Sequence, residues 1–186
     1  FVEMVQADGF CNIQGYDASY SGENSAIEKR YLEKTDRIKA DLIILRHVVE
    51  HIPNPYKFLM MLKVIFGNTK IYIEVPNYDW ILSNKTFFDI TFEHVNYFSQ
   101  QSLKKLFDPS TTLQGLLFEK QYQYVIADLA TLNTEFRNLY LSDHWQYVSF
   151  DDLFPNLSES IERLNTLAVG KSVYVWGAAT KGCLFL

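Results

Sequence analysis

An α/β fold organised around a parallel sheet is predicted by three features of this sequence. Short apolar, β-branched runs alternate with longer amphipathic ones. The run Ala40-Asp41-Leu42-Ile43-Ile44-Leu45 is almost continuously apolar, the pattern of a strand buried on both faces of a parallel sheet. Towards the end, Ser172-Val173-Tyr174-Val175-Trp176 opens a glycine-bounded turn from Gly177 to Gly182, as at the start of a βαβ unit.

The elements follow in order. Residues 12–16 form the first strand, closed by Asp17, and the polar stretch over 22–37 is expected to be helix and loop. The apolar run over 40–45 is the next strand. Pro53 and Pro55 punctuate the chain before a helix over 56–65, where Phe58, Leu59, Leu62 and Ile65 recur at helical spacing. A strand follows over 70–75. Ser99 caps a short helix carrying Leu103, Leu106 and Phe107 on its apolar face, and Pro109 marks its end. Residues 113–130 read as two strands in a hairpin. A helix over 156–168 then leads through Gly170 to the closing strand and turn.

Composition narrows the function classes. The 186 residues are 48% hydrophobic, 21% charged and 16% aromatic, which excludes disorder and allows one domain with part of a second. No apolar run reaches the ~18 to 20 residues of a membrane span, so no membrane partner is expected. The net charge of -5 and the scattering of 17 basic residues argue against nucleic acid. Cys11 and Cys183 lack Cys-x-x-Cys spacing, which fits a reduced, cytoplasmic setting and provides no metal framework.

Three clusters carry chemistry. In Gly15-Tyr16-Asp17-Ala18-Ser19, an acid at a strand's carboxyl end can accept both hydroxyl hydrogens of a ribose; the plainer alternative is a turn aspartate. In Arg46-His47-Val48-Val49-Glu50-His51, the His-x-x-Glu-His spacing matches the inverted zinc-protease pattern. That chemistry needs a helix, and Pro53 follows too closely, so the segment reads as a strand-end loop without metal. His47 and His51 then line a cleft, or His51 is satisfied by a backbone carbonyl. The third cluster runs from Glu74-Val75-Pro76-Asn77-Tyr78 to Thr91-Phe92-Glu93-His94-Val95-Asn96-Tyr97-Phe98. Aromatic walls around a few polar groups suit a sugar or nucleobase, and a histidine near neutral pKa can take a proton from carbon beside a carbonyl.

Residues 40–55 resemble the region after the fourth strand of class I S-adenosylmethionine-dependent methyltransferases. The later succession, Ile73-Glu74-Val75-Pro76-Asn77, then Glu93-His94-Val95 with Tyr97-Phe98-Ser99, then Val175 to Gly182, resembles the sugar C-methyltransferase family, which acts on nucleotide-linked deoxysugars. Residues 110–155 match poorly. The resemblance implies a Rossmann-like methyltransferase core over 1–130 that lacks its first strand and Gly-rich loop. It further implies a connecting helical segment over 131–170 and the opening of a carboxyl-terminal Rossmann-like domain over 171–186. A zinc-binding amino-terminal domain is expected in the full-length chain.

By the same resemblance the cofactor is S-adenosylmethionine, with Asp17 and Ser19 at its ribose and Arg46 and His47 where donor and sugar meet. His94 matches the base that generates a sugar enolate, Glu93 its orienting neighbour, and His51 a histidine near the reacting sugar. Asn77, Tyr78 and Tyr97 are expected at the nucleotide-sugar substrate, and Lys181, with the backbone of its turn, at a phosphate. The family usually reads Tyr-His-Glu-His where this chain reads Thr91-Phe92-Glu93-His94. Either Tyr78 or Tyr97 replaces the missing hydroxyl, or the acceptor differs. A small-molecule O- or N-methyltransferase and a non-catalytic nucleotide- or sugar-binding domain of the same fold remain alternatives.

Overall fold

The computed structural model describes residues 1–135 and 149–174. Helix α1 (Val2–Ala7) precedes β1 (Gly15–Tyr16), which pairs in parallel with β2 (Ile27–Glu28) as a separate two-stranded sheet. Of the strand expected over 12–16, only these last two residues pair. No helix forms over residues 22–37, contrary to expectation. That stretch has no apolar face at helical spacing; instead Arg30 bonds Glu28 at 2.7 Å and Asp36 at 2.8 Å, tying the loop to itself.

The main sheet has the order β3-β4-β6-β5, with β3 (Leu42–Arg46) and β4 (Lys70–Pro76) parallel. Strands β5 (Leu113–Leu117) and β6 (Tyr122–Asp128) form the expected hairpin, and β6 runs antiparallel to β4. The sheet is therefore mixed. Its core face carries Ile43, Ile71, Ile73, Val75, Val125 and Ala127, all buried. Helix α2 (Pro55–Phe66) covers that face with Leu59 and Leu62. Its start follows from chemistry at the first turn: Pro55 has no N–H to satisfy, and the Asn54 side chain accepts the N–H of Lys57 at 2.9 Å.

The opposite face departs from the prediction of a strand buried on both sides. Leu42 and Ile44 are 47% and 38% exposed, because among the described residues nothing lies over them. Further along, that face turns polar and aromatic. Tyr72 stacks on Tyr124 with ring centroids 5.5 Å apart, and Arg46 stands beside Glu74 across the ladder. Gly115 lies opposite Tyr124, where an added Cβ would come within 2.5 Å of the phenol ring, so only glycine lets that ring lie across the strand.

Helix α3 (Tyr78–Asn84) was not anticipated; Asn77 caps it by accepting the N–H of Asp79. Helix α4 (Gln100–Lys104) starts as expected, with Ser99 accepting the N–H of Ser102, and Leu103, Leu106 and Phe107 fully buried. Helices α5 (Phe150–Leu153) and α6 (Leu157–Ala168) follow, the latter matching the predicted helix. Residues 172–174 are unpaired, with Val173 and Tyr174 exposed, and the rest of the predicted closing strand and turn, Lys181 included, lies outside the described residues. Among the described residues no helix is long and apolar enough to cross a membrane.

Candidate active site

The site begins where β3 stops. Its last ladder contact is the N–H of His47 donating to the carbonyl of Glu74 at 3.0 Å. His47 then takes φ 51°, a left-handed conformation that costs a non-glycine residue about 1–2 kcal/mol. The chain turns sharply into a single 3-10 turn, Val49–His51, anchored by fully buried Val49. The His-x-x-Glu-His segment therefore forms no α-helix, only this one turn, as Pro53 foretold.

A second segment docks on this turn. The N–H groups of Val95 and Asn96 both donate to the carbonyl of Glu50 at 3.0 Å, and the Asn96 side chain donates to the carbonyl of Ile52 at 2.6 Å. The Tyr97 hydroxyl closes the loop on itself by accepting from the N–H of Thr91 and donating to its carbonyl, at 2.9 and 3.0 Å. These bonds bring His94 to His51, edge to face, with ring centroids 4.8 Å apart.

Together they bound a cleft of about 340 Å³. His47, Glu50 and His51 form one wall, and Thr91, Glu93 and His94 another. Tyr122 contributes a ring that meets His47 edge-on at 5.0 Å. Of the residues expected at the site, four therefore line one cleft: His47, His51, Glu93 and His94.

The others sit elsewhere. Asp17 and Ser19 stand past the end of β1, where the Ser19 N–H and hydroxyl donate to one carboxylate oxygen of Asp17 at 2.8 and 2.7 Å. Both bonds hold the Asp17 carboxyl below the usual carboxylate range. Arg46 donates from Nε and Nη2 to Glu74, with its guanidinium 5.3 Å from the Phe1 ring. Asn77 is buried and occupied at both ends of its amide, accepting from the Asp79 N–H and donating to the Lys120 carbonyl at 2.9 Å. Tyr78 and Tyr97 pack against each other 5.8 Å apart behind the cleft, and burial pushes both phenols up. With its single O–H on the Thr91 carbonyl, Tyr97 has no proton left to donate to an oxyanion.

Two carboxylates that carry much of the electrostatics were not among the expected site residues. Glu74, 3% exposed, accepts from Arg46 at 2.9 Å and from the Tyr72 hydroxyl at 2.7 Å. Burial works to raise its pKa, but those bonds and the charges of Arg46 and His47 outweigh it, and the carboxyl stays ionised. Glu50, 1% exposed, has one oxygen 3.3 Å from Nδ1 of His47 and the other with no partner. The sequence signal was available in both cases: a glutamate inside an apolar run must be paired or used.

His47 bridges these two acids, with Nε2 3.4 Å from Glu74 and Nδ1 3.3 Å from Glu50. The hydrogen bond to Glu50 raises its pKa against the opposing effect of burial, with both acids adding to the rise. An imidazolium, with a proton on each nitrogen, suits that geometry. His94 is shifted the other way: burial lowers its pKa, against the charge of Glu50. The cleft thus holds a histidine that two acids bias towards the protonated form and a histidine that burial biases towards the neutral one, the form that can accept a proton.

His51 shows its tautomer. Its Nδ1 lies 2.9 Å from the Glu93 carbonyl, which can only accept, so Nδ1 carries the proton and Nε2 the lone pair. Both readings of His51 hold: it lines the cleft and it is satisfied by a backbone carbonyl.

None of the curated proteins compared with the chain matches it. A family model described as a methyltransferase domain matches residues 1–110, from α1 through β3, β4 and the loop bearing His94 to the end of α4. S-adenosylmethionine is the methyl donor typical of that family, and Asp17 at a strand end, its pKa lowered and one carboxylate oxygen held by Ser19, suits the hydroxyls of a donor's ribose. The match covers more than half of the chain, and the protein belongs to this family of S-adenosylmethionine-dependent methyltransferases.

Proposed function

We propose that this methyltransferase makes a carbon–carbon bond on a nucleotide-linked keto-deoxysugar, with His94 removing a proton from the carbon beside the ketone. The observation that carries the reading is the neutral bias of His94 in a polar cleft, beside a second histidine. An oxygen or nitrogen acceptor needs little or no carbon-acid activation; a carbon acceptor does need a base.

Each residue has a task in this reading. His94 accepts the proton, and the electron pair left on carbon delocalises onto the ketone oxygen. His47, held between Glu50 and Glu74 and biased by them towards its protonated form, favours that developing oxyanion. His51 offers its Nε2 lone pair to a sugar hydroxyl, and Glu93 fixes His51 through its carbonyl and biases His94 by its charge. Asp17 receives the ribose hydroxyls of the donor, with Ser19 orienting the carboxylate. Bound S-adenosylmethionine supplies an electrophilic methyl group; alignment is the protein's main contribution. Asn77, Tyr78 and Tyr97 support the wall instead of touching sugar, and Lys181 is assigned to a phosphate of the nucleotide.

Exchange of the sugar's acidic hydrogen with heavy water tests the base. Nuclear magnetic resonance is expected to show that proton disappearing in the presence of the protein, and far more slowly with His94→Asn. Retention of the proton while methyl transfer proceeds would remove His94 as a carbon base.

A further inference from the structure

We propose that Glu50, His51 and His94 form a binding site for a divalent transition metal of the zinc class. Each offers one ligand atom, and the three atoms lie within 4.8 Å of one another. Ligand atoms around tetrahedral zinc, with bonds of about 2.0–2.1 Å, stand about 3.3 Å apart. The widest separation therefore needs to close by up to about 1.5 Å, within reach of side-chain rotation.

Three independent observations describe a ligand set instead of a chance cluster. Glu50 is 1% exposed, yet its Oε2 has no hydrogen-bond partner. An unpaired buried carboxylate oxygen is costly unless a cation or a donor meets it. Nδ1 of His94 is likewise buried without a partner. His51 donates its Nδ1–H to the Glu93 carbonyl, the arrangement by which a protein orients a metal-ligating imidazole and leaves Nε2 as the ligand.

His47 is excluded by the same reasoning. Both of its nitrogens face carboxylates, so neither has a lone pair to give, and its contact with Glu50 steadies Oε1 while leaving Oε2 open. The set therefore differs from the His-x-x-Glu-His pattern in the sequence: it drops the first histidine and recruits His94 from the docked loop. Two imidazoles and one carboxylate leave at least one coordination position open to the cleft, and they favour zinc, cobalt or iron over magnesium or calcium. An occupied site takes up the lone pairs of both imidazoles, and on the function proposed above it thereby opposes proton abstraction by His94.

The test is binding, not turnover. Cobalt(II) titrated into the full chain is expected to give visible absorption of tetrahedral or five-coordinate nitrogen–oxygen type at one metal per chain, without the near-ultraviolet thiolate band that Cys11 or Cys183 would produce. Glu50→Gln and His51→Ala are each expected to weaken cobalt and zinc binding by at least about 10–100-fold, the size that losing even an outer-shell partner costs. Circular dichroism reports whether each variant stays folded, and His51→Ala, at an exposed residue, keeps the test open if Glu50→Gln does not fold. No binding by the wild-type chain, or equal binding by the folded variants, overturns the site. Neither result bears on methyl transfer, which is assayed in chelator.

Discussion

His51 and His94 meet edge to face, 4.8 Å between ring centroids, because the backbone carbonyl of Glu50 holds the two N–H groups that follow His94. One turn at the end of β3 thus positions a residue far along the chain. Replacing His94 by Asn keeps a polar side chain of similar reach but removes the basic nitrogen. The expected result is a fall in kcat of about 10²- to 10⁴-fold, the usual contribution of a positioned acid or base, with little change in donor affinity. Steady-state kinetics with donor binding by calorimetry separates the two.

The pH profile follows from the direction of the His94 shift. Burial lowers its pKa below the ordinary imidazole value, and only the neutral form accepts a proton. Activity is therefore expected to be flat through neutrality and to fall only as the pH drops below the range in which an ordinary imidazole titrates. The Glu50 charge opposes that lowering, so in Glu50→Gln the acid limb is expected to move to still lower pH. A limb that moved upward in the variant would contradict the assigned electrostatics.

His47 gives the opposite sign in stability. Its pKa is raised in the fold by the bond to Glu50, against burial. Its contribution is fully present below the unfolded value of about 6.5 and is lost as the pH rises through the folded value. Thermal melts of wild type and His47→Ala are expected to differ most on the acid side and to converge as the pH rises above neutrality.

Glu74 is where sheet and site are joined. Glu74→Gln leaves Arg46 without its counter-ion and one of the Tyr72 and Arg46 donors without an acceptor. Chemical denaturation is expected to show a loss of about 1.5–3 kcal/mol, the range for hydrogen bonds to a charged group. The loss stays below that of breaking a fully buried pair because the Arg46 side chain is 35% exposed and water screens it.

Asp17 tests the donor side independently of the acceptor. Asp17→Ala is expected to weaken binding of S-adenosylmethionine or its demethylated product by about 10- to 100-fold, as two charge-assisted hydrogen bonds to ribose hydroxyls would. Calorimetry on the full chain reads this directly, and unchanged affinity would move the ribose away from Asp17.

Much of this arrangement was legible in the residues. The apolar run at 40–45, the Pro55 helix start, the Ser99 cap and the hairpin all carry local signals that tertiary structure has no reason to override. So does Pro53, which kept the two histidines off an α-helix. What the sequence concealed depends on contacts between distant segments. Leu42 and Ile44 look buried because their neighbours are apolar, yet covering a face takes a second layer, which periodicity cannot report. Asn77 and Tyr97 are polar residues beside an expected site, but whether they face the cleft or the scaffold is decided by Lys120 and Thr91. Glu50 and Glu74 were visible as acids in apolar surroundings; their shared partner, His47, becomes evident only when β3 and β4 are aligned.

Carbon as the acceptor atom is what distinguishes the proposed reaction from methyl transfer to oxygen or nitrogen. Incubation of the full chain with S-adenosylmethionine carrying a ¹³C-methyl group and a set of nucleotide-linked keto-deoxysugars, followed by carbon–proton correlation, reads that atom directly. The predicted result is a new methyl signal coupled to the ring carbon beside the ketone, abolished in His94→Asn. A label found on oxygen or nitrogen, or no transfer to any of these sugars by a chain that binds the donor, would contradict it.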